Sequence, residues 1–472
     1  MSAPDIVVAG TAAPDALPPA PPRPAPAPPR AYRFPRFERR ALPNGLGLVV
    51  APVPKLPLVT IVLVAEAGAS ADAAGREGAA QLVARLLLEG TETLDGAALA
   101  ERFESLGAAV EASADWDGAL VRMTVLASRL GEAFPLFAEA VLAPGFPPRE
   151  VERLKQERLA ELLQLRAEPR GLADEMFDRF LYAPASRYAY PAGGSETSVA
   201  ALDRGALLGF WRERYRAGGM TLVVAGDVTA DAVERLARAS FGDLPGGASP
   251  PVRVAAEAAR LTRAIHVVTK DEAPQSELRV GHVGLPRSHP DYFPVVVMNA
   301  VLGGLFSSRI NLNLREAHAY TYGAHSGFDW RRAPGPFVVD AAVKSDVTHL
   351  AAREVLREID RMRAEPIAAD ELSLATSYLD GVFPIRYETT GAIAAALASL
   401  VVYGLPDDYF DTYRSRIRGV TTGAVREAAE RHLDPARLQM VFVGDPEAIR
   451  QPLEGLEFGP VAVYDADGNR TG

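Results

Sequence analysis

The chain is predicted to be α+β, built from two tandem homologous domains, each a mainly antiparallel β-sheet packed against helices. Three observations carry this. At 472 residues the chain exceeds what one hydrophobic core usually holds. Its 48% apolar and 23% charged residues are the balance of a globular protein. A strand that ends in Gly-Asp ahead of a helix occurs twice, closing at Gly226-Asp227 and again at Gly444-Asp445, 218 positions later. A helical run precedes each copy, so the pattern reads as a duplicated unit of roughly 200 residues. The expected layout is a Pro/Ala-rich arm over 1–31, a first domain over 32–244, a linker over 245–260 and a second domain over 261–472.

Taken in order, the arm is too rich in proline and alanine to bury a core and reads as an extended solubilising tail, with a proline-motif ligand as the alternative. Residues 40–51 form a strand, an Asn44-Gly45 turn and a second strand. Residues 57–68 form a buried strand whose β-branched run stops at Gly68. Helical patterns cover 78–89 and 95–106, and strands over 108–113 and 119–126 are joined through Asp115-Trp116-Asp117-Gly118. A long helix opens near Pro147-Pro148 and keeps apolar residues at three- and four-residue spacing through Leu165. The first unit ends with a helix over 210–215, a strand over 220–227 and a helix from Ala230. The second repeats that ending with a helix around 430–433, a strand over 438–445 and a helix near Glu447. Between the units, the turn-rich run 245–251 marks the join.

The net charge of −10 argues against a nucleic-acid surface, which needs clustered Lys and Arg. With no cysteine, disulfides and thiolate catalysis are excluded, while the compartment stays open. Residues 5–10 are too short for a secretory core, and no run of about 18 apolar residues suggests a membrane span. The default compartment is the cytoplasm, with the periplasm not excluded. All seven histidines lie at or beyond position 266, so the first 265 residues hold no imidazole for an ordinary zinc site. His266, His282 and His289 show no ligand spacing, Glu316 and His318 fall on different sides of a helix, and His325 belongs to the strand beyond it. Ser307 lacks the strand-turn elbow of a nucleophile.

Two segments carry chemistry. Residues 78–91 run from Gly78-Ala79-Ala80-Gln81 through Ala84-Arg85 to Gly90-Thr91, and residues 303–323 run from Gly303-Gly304 through Ser307-Ser308-Arg309 and Leu314-Arg315-Glu316 to Tyr322-Gly323. Alone, the second reads as a Gly-Gly turn, a helix capped by Ser307 or Ser308, and a strand, with Arg315 on a solvated face. Together, over about 37–465, they resemble the pitrilysin (insulinase-like) zinc metallopeptidases, particularly the two-domain subunits related to mitochondrial processing peptidase. The resemblance implies a processing-peptidase-like fold and a zinc helix at 78–91. There Gln81 and Arg85 replace the two histidines, Ala84 replaces the glutamate base, and only the distant third ligand, Glu161, is kept. Gln81 is a poor ligand, Ala84 cannot act as a base, and Arg85 places a permanent cation where the ion would sit. An Arg85–Glu161 ion pair is expected in place of the metal bridge. The resemblance also makes Arg315 and Tyr322 the residues that hold a substrate carbonyl and its oxyanion. It thereby implies a non-catalytic subunit, without metal of its own, of a heterodimer whose homologous partner brings the zinc and whose substrates are peptides or unfolded segments. The alternative is an inert structural or peptide-binding scaffold. A homodimer of the isolated chain is compatible with either.

Overall fold

A computed structural model describes residues 31–472, so the expected arm lies outside the described residues but for its last position. Six strands of the first half, β1 (Glu38–Ala41), β2 (Gly47–Pro52), β3 (Leu58–Ala65), β4 (Ala109–Ala114), β5 (Ala119–Leu126) and β6 (Met220–Gly226), form one sheet in the order β1-β2-β6-β3-β5-β4. The Asn44-Gly45 turn forms as read: Gly45 takes a φ of +97°, and the Asn44 carboxamide accepts from the Leu46 N–H at 3.2 Å. The β-branched strand β3 lies between β5 and β6, both antiparallel to it, and is buried from Val59 to Ala65.

The second half repeats this. Strands β7 (Ala264–Thr269), β8 (Gln275–Val283), β9 (Ala324–Phe328), β10 (Pro336–Lys344), β11 (Gln439–Gly444) and β12 (Val461–Tyr464) run in the order β12-β7-β11-β8-β10-β9. Strands β7 to β11 take the places of β2 to β6, down to the parallel pairing of β7 with β11, which matches that of β2 with β6. Only the outer strand differs. It is an antiparallel hairpin partner in the first sheet and the late strand β12, parallel to β7, in the second.

Each half also gives a helix to the other. The helix Pro169–Leu181 packs on β8 and β11, burying Leu172, Met176 and Phe177 against Val441 and Val443. The helix Thr390–Tyr403 packs on β3 and β6, and its Thr390 hydroxyl meets that of Thr60 at 3.0 Å. Gly281 makes the first crossing possible: a Cβ there would stand 2.9 Å from the Phe177 ring and closer still to the Phe337 carbonyl oxygen. Residues 33 to 472 accordingly form one compact unit.

Two expectations need correction. The segment after Gly303 is not a plain capped helix. Ala300–Gly304 and Leu312–Ala317 are π-helical turns, and Ser308 occupies the N-cap position without a side-chain cap bond. Gly303 lies so close to β9 that a Cβ would collide with Ser326, which explains a glycine inside a helical turn. The second concerns hydropathy. The helical run Tyr292–Ala317, with mean hydropathy 1.5 over its most apolar window, is long and apolar enough to cross a membrane, but 61% of that window is buried inside the fold.

Candidate functional site

The helix Ala79–Leu86 starts from Gly78, whose φ of +99° turns the chain into it. No side chain on the helix caps it. Asp72, eight residues upstream of Ala80, accepts from the Gly78 N–H at 2.8 Å and the Ala80 N–H at 2.9 Å, and pairs with Arg187 at 3.1 Å. Burial pushes the Asp72 carboxyl up to about 6, against the opposing pull of Arg187 and the two backbone donors. Arg187 in turn binds the Ala69 and Ala192 carbonyls and lies over the Trp116 ring. This brace holds the start of the helix in place.

Position 81 faces a crowded corner. Gln81 donates weakly to the Ala114 carbonyl at the end of edge strand β4, at 3.4 Å. A Cβ on Gly193 would lie 2.5 Å from the Gln81 Oε1 and against the Arg158 guanidinium, so the 193 loop closes over Gln81 only because it carries no side chain there. Ala84 is fully buried and packs in the core.

Arg85 and Glu161 do come together, but Arg85 binds Glu157 first, at 2.6 Å, and Glu161 only at 3.5 Å. Glu161 takes a second guanidinium, Arg158, at 3.1 Å, which also donates to the Gly193 carbonyl at 3.0 Å. Glu157 takes Arg153 at 3.2 Å, and Arg153 reaches Glu89 at 2.8 Å. The result is a ladder of alternating charge across the face where the resemblance puts a metal. Two guanidinium groups bracket the single carboxylate left from the ligand set. A dication would have to displace both, so these residues do not fit zinc.

The second segment is anchored from below and open above. Arg309 binds Glu371 through two bonds of 2.7 Å. The buried Asn311 donates to the Phe306 carbonyl at 2.6 Å and accepts from the Ala324 N–H at 3.1 Å. Asn313 donates to Glu354 and Glu358. On this base Arg315 lies over the Phe306 ring at 4.5 Å, with Glu316 3.6 Å from one of its nitrogens. Tyr322 is 93% exposed. Among the described residues no hydrogen bond or ion pair joins Arg315 or Tyr322 to Gln81, Arg85 or Glu161. Arg315 is half-buried and only Tyr322 is fully exposed; chemically, a cation and a phenol can each donate to a carbonyl oxygen as it gains charge.

Of the histidines of the second half, only His266 and His282 are buried. His266 stacks on Phe180 at 4.3 Å and bonds Gln439, while burial lowers its pKa to about 4. His282 bridges the Val283 carbonyl and the Asp434 N–H. His318 stacks on Tyr320, and His325 sits on β9. Sequence reading missed Asp72, Arg187, Arg158 and Gly193. Only Asp72 left a signal, a carboxylate in a small-residue turn ahead of an apolar helix.

Comparison with known proteins gives two family matches along the chain. The family described as "Insulinase (Peptidase family M16)" matches residues 49–189, and "Peptidase M16 inactive domain" matches residues 201–379. An uncharacterized zinc protease of Streptomyces coelicolor is 23% identical over 396 residues, covering 83% of this chain and 86% of the relative. The "probable mitochondrial-processing peptidase subunit beta" of Schizosaccharomyces pombe is 26% identical over 279 residues, 57% of this chain and 59% of the relative. The crystal structure of a peptidase M16 inactive domain from Pseudomonas fluorescens superposes with a TM-score of 0.82 at 26% identity, covering 87% of this chain and 98% of that one.

Proposed function

Since the chain belongs to the insulinase family of peptidases, family M16, we propose that it is the non-catalytic subunit of a heterodimeric zinc endopeptidase. The homologous partner supplies the His-x-x-Glu-His helix and the zinc. This chain supplies Arg315 and Tyr322, which donate to the carbonyl oxygen of the scissile peptide as it becomes an oxyanion. The observation that carries the reading is the contrast between its two segments. The metal face is closed by a ladder of ion pairs, while Arg315 and Tyr322 stand on a rigid base with Tyr322 almost wholly exposed. Substrates are peptides or unfolded segments, bound in part by strand addition to an open edge such as that of β4, the last strand of its sheet.

The test is reconstitution. The chain is co-expressed with a homologue carrying His-x-x-Glu-His, and unfolded peptides are assayed with Arg315→Ala and Tyr322→Phe variants. Loss of an oxyanion donor should lower kcat by about 100- to 1,000-fold for Arg315→Ala, with the complex intact. Full activity of both variants in an intact complex sinks the reading and leaves the second one, an inert scaffold.

A further inference from the structure

The fold brings together three side chains that the sequence keeps 141 and 143 positions apart. His289 and Asp291 lie in the turn that opens the helix Tyr292–Asn299, and His432 is the last residue of the helix Thr422–His432 packed beside it. One ligand atom from each lies within 4.8 Å of the others. The His289 and His432 rings meet edge to face at 5.0 Å, and the His432 Nε2 is 2.7 Å from the Asp291 Oδ2. We infer that His289, Asp291 and His432 form a binding site for a divalent metal ion of the zinc class, independent of the degenerate helix at Gln81.

The donor set decides the class. Two imidazoles and one carboxylate suit zinc, nickel, cobalt or copper, whereas magnesium and calcium call for oxygen ligands throughout. The spacing is near what is needed. Ligands about 2.1 Å from a tetrahedral zinc stand roughly 3.4 Å apart, so closing the cluster takes a movement on the order of 1 Å, within side-chain rotation. Solvent completes the shell, because all three residues are only partly buried.

Competing bonds can be given up. Arg431 and His432 share the Asp291 Oδ2, each at 2.7 Å, and the other oxygen of that carboxylate accepts no bond among the described residues. Arg431 already has a second partner in Glu427, 3.5 Å away on its own helix, to which it can withdraw. The His289 Nδ1 accepts the Asp291 N–H at 3.1 Å, a half-exposed bond that water can replace. The metal would clamp the start of the helical run leading to Arg315 onto the helix preceding β11. It is a brace for the half that carries Arg315 and Tyr322, and it does not depend on their proposed use.

The experiment uses the full chain, stripped with a chelator, dialysed and titrated with zinc, and with cobalt for its visible spectrum, magnesium serving as the control. The expected result is one equivalent of zinc at about micromolar Kd or tighter, a raised melting temperature and a tetrahedral-to-five-coordinate cobalt spectrum. His289→Ala and His432→Ala should each weaken binding by about 100-fold, and Glu161→Gln should leave it unchanged. Asp291→Asn keeps the shape of the cluster and guards against misfolding: it should melt like the parent without metal yet bind zinc more weakly. Failure of the parent chain to bind zinc at tens of micromolar, or binding untouched by both histidine substitutions, overturns the site. Neither outcome bears on the peptidase reconstitution, which is read through Arg315 and Tyr322.

Discussion

Replacing Gln81 and Arg85 by histidine, with Ala84 left alone, should create a zinc site without creating a peptidase. Positions 81 and 85 lie four apart on the helix Ala79–Leu86, hence on one face, and Glu161 already reaches the side chain at 85. The substitution removes the Arg85–Glu157 bond, but Glu157 keeps Arg153 at 3.2 Å. The group still opposing the metal is Arg158, 3.1 Å from Glu161, with side chains 15% and 42% exposed. A pair of that exposure is worth about 1 kcal/mol or less, so it should weaken zinc binding by roughly fivefold at most. Adding Arg158→Ala should recover that factor, while adding Glu161→Gln should cost at least about 100-fold. Affinity is measured by competition with a chromogenic chelator in a His289→Ala background, so that only the rebuilt site is counted. Activity stays absent because no base stands at 84, where a fully buried alanine leaves no room for a solvated carboxylate. A variant that melts like the parent yet binds no zinc at tens of micromolar, or binds it equally well without Glu161, would refute the assignment of Glu161 and the idea that the helix frame is intact.

Other perturbations test the scaffold. His266 is held neutral: its pKa falls from about 6.5 to about 4 because of burial, so the unfolded chain takes up the proton first on acidification. Its stabilising effect is complete above pH 6.5 and is lost as pH falls toward 4, amounting to about 3 kcal/mol. Asp72 acts in the opposite sense, since its raised pKa lets the folded state bind the proton first between about 4 and 6. The two contributions oppose each other over that range, and His266→Gln should tilt the melting temperature toward greater relative stability at pH 5. An identical pH slope in parent and variant refutes this. Asp72→Ala removes the only carboxylate paired, among the described residues, with the largely buried Arg187, which keeps its carbonyl acceptors, and leaves the Gly78 and Ala80 N–H groups unpaired. It should cost about 3 kcal/mol in urea unfolding; a loss under 1 kcal/mol would show that the cap is dispensable. Gly281→Ala pushes a methyl group toward Phe177 and the Phe337 carbonyl and should cost about 2–3 kcal/mol. Hydrogen exchange should rise first in the helix Pro169–Leu181, and unchanged protection there would contradict the crossing.

Much of this architecture was legible because local rules acted alone. Asn44-Gly45 names its own turn, the β-branched run of β3 names a buried strand, and the two Gly-Asp endings expose the duplication. The crossing helices were not legible. An amphipathic pattern over Pro169–Leu181 says that one face is buried but not whose sheet covers it. The π-helical turns on either side of Arg309 were not legible either, and the first of them holds Gly303 against Ser326, a tertiary contact with no sequence period. At the degenerate helix, counting along the chain led to Glu161. Glu157, one turn earlier on the same helix face, proved the closer partner of Arg85, a difference of 0.9 Å that a one-dimensional count does not contain. His289, Asp291 and His432 were separated by too many positions for any spacing rule.

The exchange of helices also explains how a half can lose its chemistry without losing its fold. The helix Thr390–Tyr403 buries Ile393, Leu397 and Leu400 and packs on β3 and β6, and each such side chain is worth about 1.5–3 kcal/mol of burial. The second half therefore needs the first sheet whether or not that sheet supports a metal. The side chains at 81 and 85 are not core residues: both stay partly exposed, and Arg85 makes only half-exposed ion pairs. Histidine or arginine there changes little of the energy that holds the two sheets together. Tyr322 presents the converse case. With 93% of its surface exposed, its ring contributes almost nothing to folding. The packing of the chain itself tolerates the degenerate helix, whereas folding gives no reason for the phenol at 322, and the reconstitution assay is the measurement that asks whether it acts on a substrate outside the chain.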